Sequence, residues 1–274
     1  MTPNIKILST AAALIFATAA CTDEIDFDYN SIDSHPVIEA YVNPTGAKVT
    51  LTNTRDMSDS THTHTISGAS VSLLCPDGRT VSLAETAAGE YTSADIAPQA
   101  GDVFSIKVTT DGTTYEATDT MGLAPENLTA YFAREEIMEK DRITFRFSFT
   151  APTDSLTCYV ALLTRNGKTY MCGTKNNYAH YDDGTVEGRM TCFKVDDIDN
   201  EDKQDEVLHD GDIMQFSLAG ISRRAYDYLS ALDYSGTTNA NPSWQFSGGQ
   251  ALGLFSAQNV VTFPAITFKM EEVQ

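Results

Sequence analysis

The chain has 274 residues and a formal net charge of −20, from 38 acidic and 18 basic side chains. Its length allows two ordinary domains or one large β-fold. Such an acidic surface repels nucleic acid and anionic lipid headgroups, which argues against both as partners, and it favours solubility and divalent cations.

The first 20 residues have the pattern of a secretory signal peptide. Lys6 is their only charge, and the apolar run 7–20 ends in small residues suited to cleavage. This run is too short to cross a hydrocarbon core of roughly 30 Å, and no later run approaches that length. We therefore expect residues 1–20 to be an export signal that is removed from the mature protein.

Cys21 stands immediately after the small residues. This arrangement resembles the lipobox of bacterial lipoproteins, whose cysteine receives a diacylglyceryl group and becomes the new N-terminus. The resemblance implies that Cys21 is lipidated, and several acyl chains anchor firmly because each buried CH₂ adds roughly 0.8 kcal/mol. Thr18 departs from the usual Leu or Val, and an ordinary signal peptide with a chance cysteine is the alternative.

An acidic stretch, "TDEID", follows the cysteine directly. Its carboxylates, from Asp23, Glu24 and Asp26, resemble the export signal that sends Bacteroidota lipoproteins to the outer face of the outer membrane. A plain solvated linker would have the same composition. Residues 21–35 carry no core pattern, and we expect them to form an acidic tether.

Residues 36–124 are expected to form an N-terminal β-sandwich. The stretches 71–83 ("VSLLCPDGRTVSL") and 104–118 ("FSIKVTTDGTTYEAT") each place Asp-Gly between two alternating runs, which is the strongest short-range signal of a β-hairpin. Strands spaced by such turns favour β-sandwiches over alternating α/β folds. The segment 122–128 has turn residues and no periodicity, so we place the domain boundary there.

Residues 125–274 are expected to form a second β-sandwich that carries one short helix. The stretch 142–150 ("RITFRFSFT") has apolar side chains at every second position, which places them on one face of a strand. Asn-Gly at 166–167 again marks a hairpin. Apolar residues at helical spacing in "ISRRAYDYLSAL" predict a helix over 222–233, with Ser222 as its cap. The predicted fold is thus mainly β, with two Ig-like or transthyretin-like sandwiches.

Four cysteines remain besides Cys21. An even number outside the cytoplasm permits disulfides, in three connectivities. Cys172 and Cys192 flank a segment rich in glycine and aspartate, and they are the pair that we expect to bond. Buried free thiols are the alternative.

The sequence contains no G-x-S-x-G, H-E-x-x-H or G-x-x-x-x-G-K-[ST] motif. The acidic segment 196–206 offers hard oxygen ligands for Ca²⁺, among them Asp197, Asp199 and Glu201. It lacks the glycine at the sixth position of an EF-hand loop, and a solvated loop is the alternative. We therefore expect no catalytic residue, no resident metal and no cofactor. A ligand is expected to meet exposed aromatic side chains, with Tyr178, Tyr181 and Trp244 as contacts.

Taken in order, several segments resemble the Bacteroidota outer-membrane lipoproteins grouped as domain-of-unknown-function family 4249. These segments are "PVIEAYV", "SGASVSLL", "AAGEYTS", "GDVFSIKVTTDGTTYEAT", "ISRRAYDYLSAL" and "NPSWQFSGGQALGLFSA". Leu254 stands where an aromatic residue is common. The first half is also similar to the transthyretin-like sandwiches of carboxypeptidase regulatory domains. The positions that match the family pattern near the end of the chain are Asn241, Pro242, Gly248, Gly249, Gly253 and Phe255.

The resemblance implies an accessory role in nutrient uptake, because genes of this family tend to lie beside TonB-dependent outer-membrane transporters. The family has no assigned activity, so no binding residue is carried over. We expect a lipid-anchored protein of the outer membrane that faces the cell exterior and captures a ligand for such a transporter or contacts it. An adhesive or structural surface protein is the second expectation. A lipid-anchored hydrolase is the third, and the missing motifs argue against it.

Overall fold

A computed structural model describes residues 34–55, 64–137, 139–151, 157–175, 184–192, 207–235 and 245–274. All of these belong to one compact unit. The described residues are mainly β, with seventeen strands, one α-helix and one turn of 3-10 helix at Met270–Glu272. None of the helices in these ranges is long and apolar enough to cross a membrane.

The first sheet contains nine strands. They are β1 (Pro36–Asn43), β2 (Gly46–Asn53), β3 (His64–Thr65), β4 (Ser70–Leu74), β5 (Thr80–Ala87), β6 (Glu90–Ser93), β7 (Val103–Thr110), β8 (Thr113–Thr120) and, from far along the chain, β15 (Leu252–Ala257). Their order is β15-β1-β2-β6-β5-β4-β7-β8, and the short β3 pairs with β2. Only β15 and β1 are parallel neighbours within this sheet.

Strand β15 comes from the segment predicted as the second domain, 125–274, but pairs with β1 of the segment predicted as the first, 36–124. Its pairing with β1 joins Ile38 to Gly253 and Ala40 to Phe255 in register. The first hydrophobic core accordingly takes Phe246, Ala251, Phe255 and Ala257 from the end of the chain. Parallel pairing needs a long crossover and leaves no local sequence signal, so the pattern alone did not indicate this pairing.

The second half of the chain forms two smaller sheets. The first has the order β13-β10-β9 and the second β12-β11-β14-β16, with β17 also paired to β14. Their bounds are β9 (Glu126–Ile137), β10 (Lys140–Thr150), β11 (Thr157–Arg165), β12 (Lys168–Lys175), β13 (Thr185–Cys192), β14 (Ile213–Ser222), β16 (Asn259–Thr262) and β17 (Ile266–Thr267).

A second hydrophobic core lies between these two sheets. The alternation predicted for β10 is confirmed, because its apolar side chains Ile143, Phe145, Phe147 and Phe149 are all at most 2% exposed. The ring centroid of Phe216, from β14, lies 5.0 Å from that of Phe145 and 4.8 Å from that of Phe147. The core therefore draws on both sheets.

The hairpins predicted from Asp-Gly and Asn-Gly pairs are confirmed. Asp111 and Gly112 join β7 to β8 with φ of 49° and 76°, and Asn166 and Gly167 join β11 to β12 with φ of 50° and 79°. Positive φ at both central residues is the requirement of a type I′ turn, which these residue types meet at low cost. The turn between β4 and β5 also uses its glycine, Gly78, with φ of 82°.

The predicted helix is confirmed with shifted ends. Helix α1 runs over Arg223–Ser235, against an expectation of 222–233. The Ser222 hydroxyl accepts a hydrogen bond from the backbone N–H of Ala225 at 3.1 Å, which is the predicted N-cap. The helix packs on a third apolar cluster that includes Cys158, Ile221 and Leu254.

Three cysteines have described side chains, and all three are buried: Cys75, Cys158 and Cys192. Cys75 and Cys192 form no disulfide with another described side chain. Burial in the second core raises the pKa of the Cys192 thiol to about 12, which keeps it protonated and unreactive. The side chain of Cys172 lies outside the described residues, so its disulfide with Cys192 stays a prediction.

Candidate functional site

A half-open cleft of about 420 Å³ lies where β8 and the segment after it meet β14 and α1. Its volume falls within the range of roughly 300–1,000 Å³ that small-molecule sites occupy in proteins. One wall comes from residues 118–123, and the facing wall comes from residues 221–224. The lining is mostly carbon, which suits the apolar body of a small ligand.

The chain can bring these two walls together because glycines face each other behind the cleft. A Cβ atom on Gly122 would lie 2.7 Å from the backbone carbon of Gly220, and a Cβ on Gly220 would overlap the carbonyl oxygen of Leu123. Neither position therefore accepts a side chain without a shift of the backbone. The Leu123 N–H donates to the Thr157 hydroxyl at 3.1 Å and fixes the same crossing.

Among the described residues that line the cleft, Asp119 is the buried carboxylate. It occupies an inward position in the alternation of β8 and is 5% exposed. One of its oxygens accepts the N–H of Ala257 at 2.8 Å, and the carboxylate also accepts the Ser222 hydroxyl and the Thr120 N–H. The side chain thus joins β8 to the end of β15 and to the start of α1.

The pKa of Asp119 lies above its ordinary value of 3.8. Burial is the largest cause, because it disfavours the charged form. The hydrogen bonds from Ser222, Ala257 and Thr120 and the positive charge of Arg224 oppose this effect without cancelling it.

Two arginines stand at the start of α1, on the rim of the cleft. The Arg224 guanidinium donates to the side chain and the backbone carbonyl of Gln245 and, at 3.2 Å, to the carbonyl of Thr118. Arg223 pairs with Asp227 one turn along the helix, with 2.8 Å between Nε and Oδ1. Both arginines are exposed.

The cleft is suited to binding a ligand, because its polar groups are held in fixed positions by hydrogen bonds to the protein. The Ser222 hydroxyl donates a hydrogen bond to Asp119 and accepts one from the Ala225 N–H, so it serves the protein as both donor and acceptor. Met121 and Ile221 form an apolar floor, at 2% and 0% exposed. Within the described ranges, no three His, Cys, Asp or Glu side chains come close enough to hold a metal ion.

Most residues that the sequence marked for a site lie outside the described residues. These are Cys21, Asp23, Glu24, Asp26, Tyr178, Tyr181, Asp197, Asp199, Glu201 and Trp244. Their roles stay predictions. Trp244 directly precedes Gln245, which bonds to Arg224 at the cleft.

Sequence reasoning missed Asp119, Ser222 and Arg224 as members of one site. The alternation of β8 gives the signal for Asp119, because Tyr115 and Ala117 share its inward face. A carboxylate at such a position needs donors, and two of the three, Ser222 and Ala257, lie more than 100 positions further along the chain.

The glycines that match the family pattern serve the backbone. Gly248 and Gly253 have φ of 92° and 110°, and a Cβ on them would overlap the backbone of Thr114 and Ile38 respectively. Phe255 is buried in the first core. These positions explain why the segment before and within β15 keeps small residues.

Comparison with solved structures finds similarity to a DUF4785 family protein from Legionella pneumophila, at 14% sequence identity and a TM-score of 0.20. The match covers 70% of this chain and 53% of that protein, so the chain spans about half its length. A TM-score this low does not establish a shared fold. Comparison with curated proteins yields no match. The family model described as domain of unknown function DUF4249 matches residues 22–262. The chain therefore belongs to the DUF4249 family.

Proposed function

We propose that this chain is a lipid-anchored protein on the outer face of a Bacteroidota outer membrane. It captures a small ligand and assists a TonB-dependent transporter in its uptake. The observation that carries the ligand-capture role is the half-open cleft of about 420 Å³ beside Asp119 and α1. Membership of the DUF4249 family supports the setting, since the family model begins at residue 22, directly after the proposed lipid site.

The anchor is supported by the sequence around Cys21. Small residues precede it, and three carboxylates follow within five positions. Lipidation there would leave residues 22–35 as a tether between the membrane and β1. Fourteen residues reach at most about 50 Å when fully extended, which lets the cleft approach a neighbouring transporter.

Ligand capture fits the chemistry of the cleft better than turnover. Hydrolysis needs a nucleophile with a positioned base, a carboxylate pair or an open metal site. At the cleft, the hydroxyl of Ser222 and the carboxylate of Asp119 hold each other and the surrounding backbone. We accordingly propose a binding protein rather than an enzyme.

The finer architecture is also a proposal. We propose that each half is a β-sandwich and that the first half is transthyretin-like. Strand β15, which comes from the second half of the chain, completes the sandwich of the first half. The two facing sheets around Phe145, Phe147 and Phe216 support this for the second half. A crystal structure of the mature protein tests it directly.

The function is tested by purifying the full-length protein from its native membrane in mild detergent and identifying what co-purifies. We expect an outer-membrane transporter in stoichiometric amount. The matched control is Cys21→Ser, which should lose the lipid, leave the membrane fraction and lose the transporter. Membrane retention without lipid on residue 21, or co-purification of a fimbrial assembly in place of a transporter, would contradict the proposal.

A further inference from the structure

We propose that the cleft binds a small organic acid, with its carboxylate at Arg223 and its apolar body on the floor formed by Met121, Leu123 and Ile221. The inference rests on the proposed capture role and names the class of ligand. Free organic acids and the C-terminal residue of a peptide share this chemistry, and the experiment below separates them.

The charges that line the cleft point to an anion. In a chain of net charge −20, the charged residues in the described lining are Arg223, Arg224 and Asp119. The two arginines are exposed, whereas Asp119 is 5% exposed. Among the charged lining residues, the exposed ones are thus both arginines, and guanidinium geometry suits a ligand carboxylate.

Asp119 does not oppose such a ligand. Its oxygens already accept hydrogen bonds from Ala257, Ser222 and Thr120, and Arg224 lies within range of its charge. The carboxylate is thus compensated by fixed groups of the fold. At the rim, the positive charge of Arg223 is balanced by its ion pair with Asp227.

The apolar part of the lining determines the chemistry of the ligand's body, as Arg223 determines that of its charged group. Leu123 is half-buried and offers apolar surface, Met121 and Ile221 are already buried in the protein, and the lining as a whole is mostly carbon. Burying apolar area is worth roughly 25 cal/mol per Å², so an apolar body adds affinity that the carboxylate alone lacks. A volume of about 420 Å³ suits a ligand the size of an aryl acetate.

Arg223 can exchange its present partner for a ligand. Its ion pair with Asp227 is exposed on both sides, at 47% and 58% of the side chains, and its guanidinium lies 5.5 Å from the Tyr226 ring. Exposed pairs of this kind contribute little because water screens them and side-chain entropy opposes them. A carboxylate seated on the apolar floor competes with Asp227 under more favourable, partly desolvated conditions.

The test is equilibrium dialysis of the full-length protein in nanodiscs at neutral pH, with empty nanodiscs as the blank. The probe is radiolabelled phenylacetate, and the competitors are its neutral isostere phenylacetamide and the cation phenethylamine. We expect saturable binding of phenylacetate, with both competitors at least about tenfold weaker. N-acetylphenylalanine against phenylacetate then separates a peptide C-terminus from a free acid as the preferred source.

The variants locate the site. Arg223→Gln should weaken phenylacetate binding about tenfold, and Asp227→Asn should strengthen it by releasing Arg223. The matched control is Arg79→Gln, because Arg79 forms a similarly exposed pair with Asp77, also 2.8 Å from Nε to Oδ2, and is not among the residues that line the cleft. Thr120→Trp, at an exposed position of the lining, should block binding without removing a charge.

Three results would overturn the inference. They are no saturable binding at millimolar probe, equal binding of the acid, the amide and the amine, and an equal effect of Arg223→Gln and Arg79→Gln. Each variant is also carried through the co-purification with the transporter. If Arg223→Gln keeps the transporter but no probe binds to the wild type, the ligand class fails while the accessory role stands. If the transporter is lost while probe binding is intact, the accessory role fails and the ligand class stands.

Discussion

Asp119 and Glu85 are two carboxylates that the fold treats in opposite ways. Asp119 is buried where β8 meets the end of β15 and the start of α1, and burial raises its pKa although three groups donate hydrogen bonds to it. Glu85 lies on the surface, where the N–H groups of Gly68 and Gly89 each donate to it at 3.0 Å and lower its pKa. The balance between desolvation and hydrogen bonding decides the sign of each shift, and each sign can be measured.

The first prediction concerns Asp119→Asn. Because the pKa of Asp119 is raised in the folded state, its favourable contribution is complete below 3.8 and is lost as pH rises through the raised value. The asparagine variant lacks this dependence and loses an acceptor, which costs about 1–3 kcal/mol. The gap in unfolding free energy between wild type and variant should therefore narrow as pH rises. Urea unfolding at a series of pH values measures it, and a gap that widens would refute the assignment.

The second prediction concerns Glu85→Gln and has the opposite sign. The pKa of Glu85 is lowered, so its contribution is present above 4.5 and disappears as pH falls through the lowered value. The variant should be less stable than wild type at neutral pH and should approach it in acid. The same urea series serves for both variants. Parallel pH profiles for Asp119→Asn and Glu85→Gln would show that burial does not distinguish the two carboxylates.

At the scale of the element, a large side chain on β10 lies opposite a glycine on β13. Phe147 is 2% exposed, and its cross-strand partner is Gly188. A Cβ on Gly188 would overlap the Phe147 ring. The aromatic ring thus fills the space that the glycine leaves open.

The third prediction is a double-mutant cycle at this pair. Phe147→Ala should cost about 3–5 kcal/mol, the usual range for a buried aromatic side chain in a core. Gly188→Ala should destabilise the wild type but cost less in the Phe147→Ala background, where the added methyl group finds space. Thr129→Ala, on the exposed face of the same sheet, is the control. A loss below about 1 kcal/mol for Phe147→Ala, or strictly additive effects, would mean that the register is wrong.

Local elements could be predicted from the sequence, and distant pairings could not. The Asp111-Gly112 turn and the capped helix α1 depend on residues within a few positions of each other, which is why their patterns were sufficient. Strand β15 pairs with β1 across more than 200 residues, and nothing near Gly253 indicates that partner. The cleft is of the same kind, since its two walls join residues near 120 to residues near 222.

At the scale of the whole molecule, the last strands tie both halves together. Residues Leu252–Ala257 belong to the first sheet, and Asn259–Thr262, two positions later, belong to a sheet of the second half. Gln258 bridges them and donates its N–H to the carbonyl of Val42 at 2.7 Å. The halves are therefore not independent along the chain.

The fourth prediction concerns display at the cell surface. If the carboxylates of Asp23, Glu24 and Asp26 act as an export signal, replacing all three with their amides should leave the protein lipidated but protected from external protease. Asp95→Asn, Asp102→Asn and Asp210→Asn together remove the same charge from the folded body and serve as the control. Equal protease access in wild type and the tether variant would show that the acidic stretch is only a solvated linker.

The fifth prediction follows from the position of β15. A fragment of residues 34–124 lacks the strand that covers β1 and lacks Phe246, Ala251, Phe255 and Ala257 from its core. It also leaves the Asp119 carboxylate without the N–H of Ala257. We expect the fragment alone to be poorly folded, because β1 becomes an unpaired edge strand and the core is incomplete.

Joining residues 245–258 to this fragment through a flexible linker should restore a cooperative unfolding transition. Ser247 forms an antiparallel bridge with Glu116 of β8, so the added segment starts beside β8 and a flexible linker from residue 124 can reach it. The matched control is the same linker followed by residues 245–258 in scrambled order. Dispersed amide NMR signals and the urea transition report the result. Cooperative folding of residues 34–124 by themselves would contradict the prediction, since it would mean that the first sheet is stable without β15. Restoration by the native segment and not by the scrambled one would show that this strand completes the first half.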